Sequence, residues 1–416
     1  MIGSFLVLSI LTGIITGFFV VLYGLITKGL TYLLFWGDPI ETISNLPTWY
    51  IYLVTIVSIY IVNILVSKYS SIKEYGIQEI AEAISENKLV FNLKELIIKI
   101  FASSLSLASG FAIGNEGPSA AIGAMIATKI HKFLNLPKDL LKIAISIGAS
   151  SGIATIFVSP ITGITFAMEN IAYKFMQNFA SYLILASVIA FSIGAYFLEP
   201  LVFNYNTGKA LNYHYILATL AFIPIITFFV YFYLGLKDKV LFFLTNKFQF
   251  LHKYSSLGLS VLAGSIISTI MIINPYAVFS GHELVKILIN DNINLPFWII
   301  FIVIVLRIIA TTVSLYANAI GGVFVSLMSI GALIGYGFGE MFNHFFSYHL
   351  EPFYFAAIGA AIFMGVIMRL PFTAVILALE TTYDYNIIVP TGIGVVLVTY
   401  LASLQFDVKK FNLRRK

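Results

Sequence analysis

Gly114-Asn115-Glu116-Gly117-Pro118 is the stretch on which the fold turns: a carboxylate wrapped in glycine and closed by proline, in the middle of a long apolar region. Glycines let backbone amides approach a ligand closely, and a proline just inside a helix start has no N–H to leave unpaired. Glu116 is therefore expected in the first turn of a helix that begins at membrane depth. On either side, apolar runs follow one another almost without pause, at residues 2–36, 49–66, 96–113, 143–157, 182–197, 215–236, 257–273, 298–315, 353–367 and 387–404. The full-length runs approach the ~20 residues that a spanning helix needs.

Composition agrees. The chain has 416 residues, 59% hydrophobic and 10% charged, with a mean hydropathy of +0.95. That is the balance of a polytopic, all-α integral membrane protein. The first run is far longer than the roughly 7–15 residues of a signal-peptide core and lacks a basic start, so it reads as a retained first helix. The absence of cysteine removes disulfides, thiolate chemistry and cysteine-type metal sites. The formal charge of +5 calls for no nucleic-acid partner, because Lys409, Lys410, Arg414, Arg415 and Lys416 crowd the C-terminus. Residues 37–48 contain acids and no Lys or Arg, whereas residues 67–93 carry Lys68, Lys73 and Lys88. Basic loops stay on the cytoplasmic side, so both termini are expected in the cytoplasm. With only a few residues after the last apolar run, no cytoplasmic regulatory domain is expected.

The chain also resembles itself. The shift that lays Gly114 on Gly322 lays Ser106-Leu107 on Ser314-Leu315, Ile122-Gly123-Ala124 on Ile330-Gly331-Ala332 and Lys99 on Arg307. A slightly longer shift lays Ile147-Gly148-Ala149 on Ile358-Gly359-Ala360, Pro160 on Pro371, Thr162 on Thr373 and Glu169 on Glu380. Two nearly equal offsets mark a duplicated unit with a small insertion: one transmembrane domain over residues 1–416, with a first repeat of about 1–200 and a second of about 210–416. Each half then has a glycine-rich interruption, Gly114 to Pro118 in one and Gly321-Gly322-Val323-Phe324 in the other. In transporters built from repeats, discontinuous helices meet near the bilayer midplane and turn unpaired amides toward anionic groups. An anion is the ligand such a site prefers.

Three side chains carry the chemistry. Lys99 lies in the apolar run 96–101, and its readings are snorkelling to the interface or support of an anion. Arg307 sits deeper, where a charge costs about 2.5–3.5 kcal/mol on insertion scales, so it serves an anion path or pairs with Glu169 or Glu380. Glu116 has two readings as well. As a helix cap it contributes ~0.3–1 kcal/mol. As a competitor, it occupies amides that would otherwise hold a permeant anion, and its protonation vacates them.

At these residues the chain resembles the CLC family of chloride channels and proton-coupled chloride antiporters. Gly114-Asn115-Glu116-Gly117-Pro118 is similar to the family's Gly-Lys/Arg-Glu-Gly-Pro signature, and Gly321-Gly322-Val323-Phe324-Val325 to its Gly-x-Phe-x-Pro. Glu74-Tyr75-Gly76-Ile77-Gln78-Glu79 resembles Gly-Ser-Gly-Ile-Pro-Glu less closely. The likeness runs over essentially the whole chain, and Lys99 falls where the family often has an interior lysine. It implies an inverted-repeat homodimer with broken and tilted helices and one anion pathway per subunit. Glu116 is then the external gate, Val323 and Phe324 offer amides to the central anion, and the backbone near Gly114, Glu116 and Gly117 lines an outer site. No metal or organic cofactor is implied. Four departures stand out. Tyr75 replaces a pore-lining serine and Gln78 the proline that follows it. Ser326 replaces the proline closing the second signature. Phe411 aligns with a pore-lining tyrosine and lacks its hydroxyl. Asn170, directly after Glu169, replaces the inner glutamate of the antiporters and does not titrate.

Rival readings exist. Gly148-Ala149-Ser150-Ser151-Gly152 fits Gly-x-Ser-x-Gly, which in a hydrolase requires a strained strand-to-helix turn and a histidine base. None of the six histidines lies inside a strong apolar run. Gly281-His282-Glu283-Leu284 begins like a zinc helix, but position 286 is Lys286 and the second histidine is missing. The reading carried forward is transport of chloride or a similar small monovalent anion across a bacterial-type inner membrane, gated by Glu116, with proton coupling weakened by Asn170. A proton-coupled antiporter using another inner route is the alternative, and an intramembrane serine hydrolase at Ser150 is the alternative of a different class.

Overall fold

A computed structural model of the chain describes residues 2–69, 72–73, 92–169, 176–199, 213–254, 256–289, 295–346 and 350–405. Tyr75, Asn170 and Phe411 lie outside the described residues. Among the described residues the regular structure is helical: α1 (Ile2–Phe35), α2 (Thr48–Lys68), α3 (Leu93–Ala108), α4 (Glu116–Phe133), α5 (Leu141–Phe157), α6 (Pro160–Ala167), α7 (Met176–Phe197), α8 (Tyr213–Tyr254), α9 (Ser256–Ile273), α10 (His282–Ile289), α11 (Phe297–Tyr316), α12 (Phe324–Phe345), α13 (Pro352–Met368), α14 (Pro371–Thr382) and α15 (Ile388–Gln405), besides single turns. Nine candidate spans among these residues are long and apolar enough to cross a membrane.

The ends of these helices follow from local sequence. Asn92 caps α3, its Oδ1 accepting from the N–H of Lys94 at 3.1 Å while its Nδ2 donates to Glu95 Oε1 at 3.1 Å, a reciprocal arrangement that satisfies otherwise orphaned groups. Pro160, Pro352 and Pro371 open their helices, where a missing N–H costs nothing.

Contacts divide the chain into two compact units. One comprises Met1–Leu201, Leu241–Gly281 and Ala310–Ser326; the other comprises Val202–Val240, His282–Ile309 and Leu327–Lys416. Each shows the same two devices, at positions that the sequence repeat relates. In the first, α5 ends on Val158 in the left-handed region at φ 51° and Pro160 starts α6; in the second, α13 ends on Arg369 at φ 60° and Pro371 starts α14. In both cases the N–H two residues past the helix returns to a carbonyl five positions back, Ser159 to Ala154 at 3.1 Å and Leu370 to Gly365 at 2.8 Å. The second device is a glycine crossing. A Cβ on Gly123 of α4 would strike the carbonyl oxygen of Gly148 on α5, and one on Gly148 would strike that of Gly123. Gly331 of α12 and Gly359 of α13 exclude each other's Cβ in the same reciprocal way. Bare glycines let the backbones approach, which is how helices associate where lipid supplies no hydrophobic drive.

Candidate functional site

The site lies in the first unit, where two chain segments leave their helices and meet. After α3 the chain turns at Gly110, φ 99°, and runs as irregular backbone to Gly114; after α11 it turns at Asn318, φ 60°, and runs as irregular backbone to Gly322. The two stretches pair as a single antiparallel bridge. Gly114 N–H donates to Gly322 O at 2.7 Å, and Gly322 N–H donates to Gly114 O at 2.8 Å. Hydroxyls from the flanking helices brace the pair crosswise. Ala112 N–H donates to Ser314 Oγ at 3.0 Å, and Ile320 N–H to Ser106 Oγ at 3.3 Å. These two bonds exchange under the sequence repeat. The carbonyls are taken as well: Ser326 Oγ donates to Ala112 O at 2.9 Å and Ser103 Oγ to Ile320 O at 2.8 Å.

Each segment then starts a helix, α4 at Glu116 and α12 at Phe324, and the two first residues touch. Glu116 is fully buried, and its Oε1 accepts from the N–H of Phe324 at 2.6 Å. The amides of Glu116 itself and of Val325 also lie against the carboxylate. Oε2 is buried with no hydrogen-bond partner. The glycines make room for this group: a Cβ on Gly114 would overlap Oε2, and one on Gly322 would overlap Oε1. Gly114 therefore serves the site through its bare Cα, since its N–H is engaged by Gly322. A Cβ on Gly117 would meet only ordinary contact, 3.4 Å from Gly322 N. The buried Phe324 ring packs against Phe157, with centroids 5.0 Å apart, and Phe166 at 6.3 Å.

Orphaned N–H groups at a helix start hold negative charge, and here the first turn of α12 holds a carboxylate from outside its own helix. The Glu116 carboxylate thus lies against the start of α12 as well as against the amide of its own helix start. Lys99 is 2% exposed and donates to Ile72 O at 2.9 Å, so it is buried rather than snorkelling. Arg307, in the second unit, is fully buried, and its Nε donates to Ser329 Oγ. Glu169 is half-buried just beyond α6. The Gly-x-Ser-x-Gly serine is structural. Ser150 lies inside continuous helix α5 with no strand before it, donates to Gly163 O at 3.0 Å and meets Ser187 Oγ at 2.6 Å. His282 starts the short helix α10, as its sequence suggests.

Sequence reasoning passed over the bracing hydroxyls. The repeat had already laid Ser106 on Ser314, but serines that bond across to another segment look, in sequence, like serines bonded to their own helix. Ser326, a departure from the signature, turns out to hold the Ala112 carbonyl that a proline has no hydrogen to hold.

The family profile described as "Voltage gated chloride channel" matches residues 56–403. The chain belongs to this family. It is a multi-pass membrane protein that transports small anions. A curated relative, the H(+)/Cl(-) exchange transporter ClcA of Klebsiella pneumoniae, is 27% identical over 342 residues, covering 79% of this chain and 70% of the relative. Solved structures of the family share the fold. A slow cyanobacterial Cl-/H+ antiporter superposes with a TM-score of 0.85 at 21% identity, covering 96% of this chain and 94% of that one. A CLC-type fluoride/proton antiporter superposes with a TM-score of 0.78 at 17% identity, covering 97% and 96%. The fold is thus the CLC fold, all-helical with inverted-topology repeats and broken helices.

Proposed function

We propose that Glu116 gates a pathway for chloride or a similar small monovalent anion, and that the permeant ion takes the place of the carboxylate at the first turn of α12. The observation that carries this reading is the bond from Phe324 N–H to Glu116 Oε1. A helix start whose amide is taken by one anion must release it to hold another. Val323 and Phe324 supply the amides, and Glu116 and Gly117 line the outer end of the path. Lys99, buried in the same unit, raises the potential felt by an anion there. The assignment of Arg307 to the same task rests on its place in the repeat. Tyr75 and Phe411 are assigned to the inner part of the path on the resemblance alone.

Proton exchange is the second reading, favoured by Glu116 Oε2, a buried acceptor with no partner, and by relatives described as exchangers. Protonation at that oxygen removes the charge that the α12 amides hold and frees the carboxyl to leave. Asn170 offers no titrating group beside Glu169, so exchange needs a different inner route. We further assign the chain to a homodimer in the bacterial-type inner membrane with both termini cytoplasmic, one transmembrane domain of two repeats at about 1–200 and 210–416.

The test is anion efflux from liposomes holding the purified protein, with external pH recorded on the same sample and chloride and fluoride compared. Efflux of either ion with protons driven uphill establishes exchange, and efflux without proton movement establishes a passive path. Absence of efflux of both ions refutes the reading.

A further inference from the structure

Gly321 and Gly322 stand one residue, Val323, ahead of the Phe324 amide that faces Glu116, and two glycines in a row leave a peptide plane free to turn. The bridge to Gly114 holds Gly322, and the chain ahead of the pair is fixed from outside. The Ile320–Gly321 peptide is held through its carbonyl by Ser103 Oγ at 2.8 Å, and the Ile320 N–H is held by Ser106 Oγ at 3.3 Å. Ser103 is the less expected of the two. Serines within these helices habitually donate to the carbonyl four residues back, as Ser9, Ser106, Ser146, Ser151 and Ser314 do, which is the usual local competitor for a helical hydroxyl. Ser103 donates across to the other segment instead.

Tyr23 of α1 explains the difference. Its hydroxyl lies 2.8 Å from Ser103 Oγ, and both residues are fully buried. Ser103 has one hydroxyl proton, and Ile320 O receives it, so the tyrosine is the donor in the pair. A chain of donation runs from Tyr23 through Ser103 to the loop. The other break lacks this arm: under the repeat, Ser103 corresponds to Thr311, whose buried hydroxyl has no partner. We propose that Tyr23 is a positioning residue of the anion site, turning Ser103 outward onto Ile320 O and so fixing the Gly321-Gly322 segment that aims the Phe324 amide. Without the tyrosine hydroxyl, Ser103 is free to return to its own helix, and the loop loses one of the two side-chain holds on Ile320 while keeping the Gly114–Gly322 bridge. The inference rests on the Phe324 amide being the anion donor, as proposed above.

The experiment is calorimetric chloride titration of purified protein in the Glu116→Ala background, where the amide is open, with thermal unfolding measured on the same samples. Tyr23→Phe is expected to weaken chloride binding about fivefold, the equivalent of the ~1 kcal/mol that a net hydrogen bond contributes. Ser103→Ala should do at least as much, which keeps the inference testable if the tyrosine variant fails to fold. Thr27→Val is the control. It removes the bond of Thr27 Oγ1 to Ser104 Oγ at 2.9 Å, which joins the same two helices but does not reach the loop, and it should leave the affinity unchanged. Variants that lower thermal stability equally, with chloride affinity unchanged in all three, overturn the proposal. If Glu116→Ala itself binds no chloride, the gating reading has failed instead.

Discussion

At the first break the helix begins with Glu116; at the second, the position that the repeat relates to it holds Phe324, whose N–H donates to that glutamate. The scaffold of the two breaks is shared, down to the mutual Gly114–Gly322 bridge and the exchange of Ser314 and Ser106. Their chemistry is divided: one break contributes the negative charge and the other the amides that hold it. The repeat sets two helix starts side by side, one at Glu116 and one at Phe324. Under the proposed gating, a carboxylate on only one of them makes the pair a single site with a built-in competitor. The asymmetry extends to the braces, because Ser103 and Tyr23 secure the second break while Ser326 secures the first.

The comparison breaks most sharply if bulk is added at the glycines. Gly114→Ala and Gly322→Ala each place a methyl group where the carboxylate stands. Both are expected to expel Glu116, reproduce the flux of Glu116→Ala in liposomes and lose roughly 1–3 kcal/mol of stability from overpacking. A phenotype in one and none in the other would show that the two breaks do not share the carboxylate. Charge comes next. Glu116→Gln keeps the shape and an acceptor for Phe324 N–H but replaces a charge-assisted bond by a neutral one, so efflux should rise by about five- to tenfold and lose its dependence on external pH. In the wild type, acidification should raise efflux, since protonation weakens the same bond; a fall on acidification would contradict this. Smaller effects belong to the braces. Ser106→Ala and Ser314→Ala should each cost about 1 kcal/mol in unfolding measured in detergent, and similar values for the two would bear out their matched roles. Least affected is Ser150→Ala, for which efflux within about twofold of wild type is expected, because neutral bonds to Gly163 O and Ser187 Oγ, away from the site, are all it removes.

Sequence made much of this visible. Gly-Asn-Glu-Gly-Pro placed a helix start at Glu116, and the repeat paired Gly114 with Gly322 and Gly123 with Gly331, contacts or crossings that recur in the structure. Those residues are legible because glycine and proline constrain the backbone wherever they occur. Lys99 was harder: a lysine in an apolar run has the same sequence context whether it snorkels or turns inward to Ile72 O, and only packing decides. Tyr23 and Ser103 were illegible for a similar reason. An aromatic and a serine on membrane helices are commonplace, and the hydrogen bond that gives them a role joins residues 80 positions apart. The family resemblance points to the Phe324 amide, yet nothing local to it indicates that the group it meets is the glutamate at the matching position of the other repeat.

The most direct measurement is bromide anomalous scattering from crystals of Glu116→Ala. A bromide ion is expected within hydrogen-bonding distance of Phe324 N, in the place that Oε1 occupies in the wild type. Bromide bound elsewhere in the protein, with that place filled only by water, would contradict it.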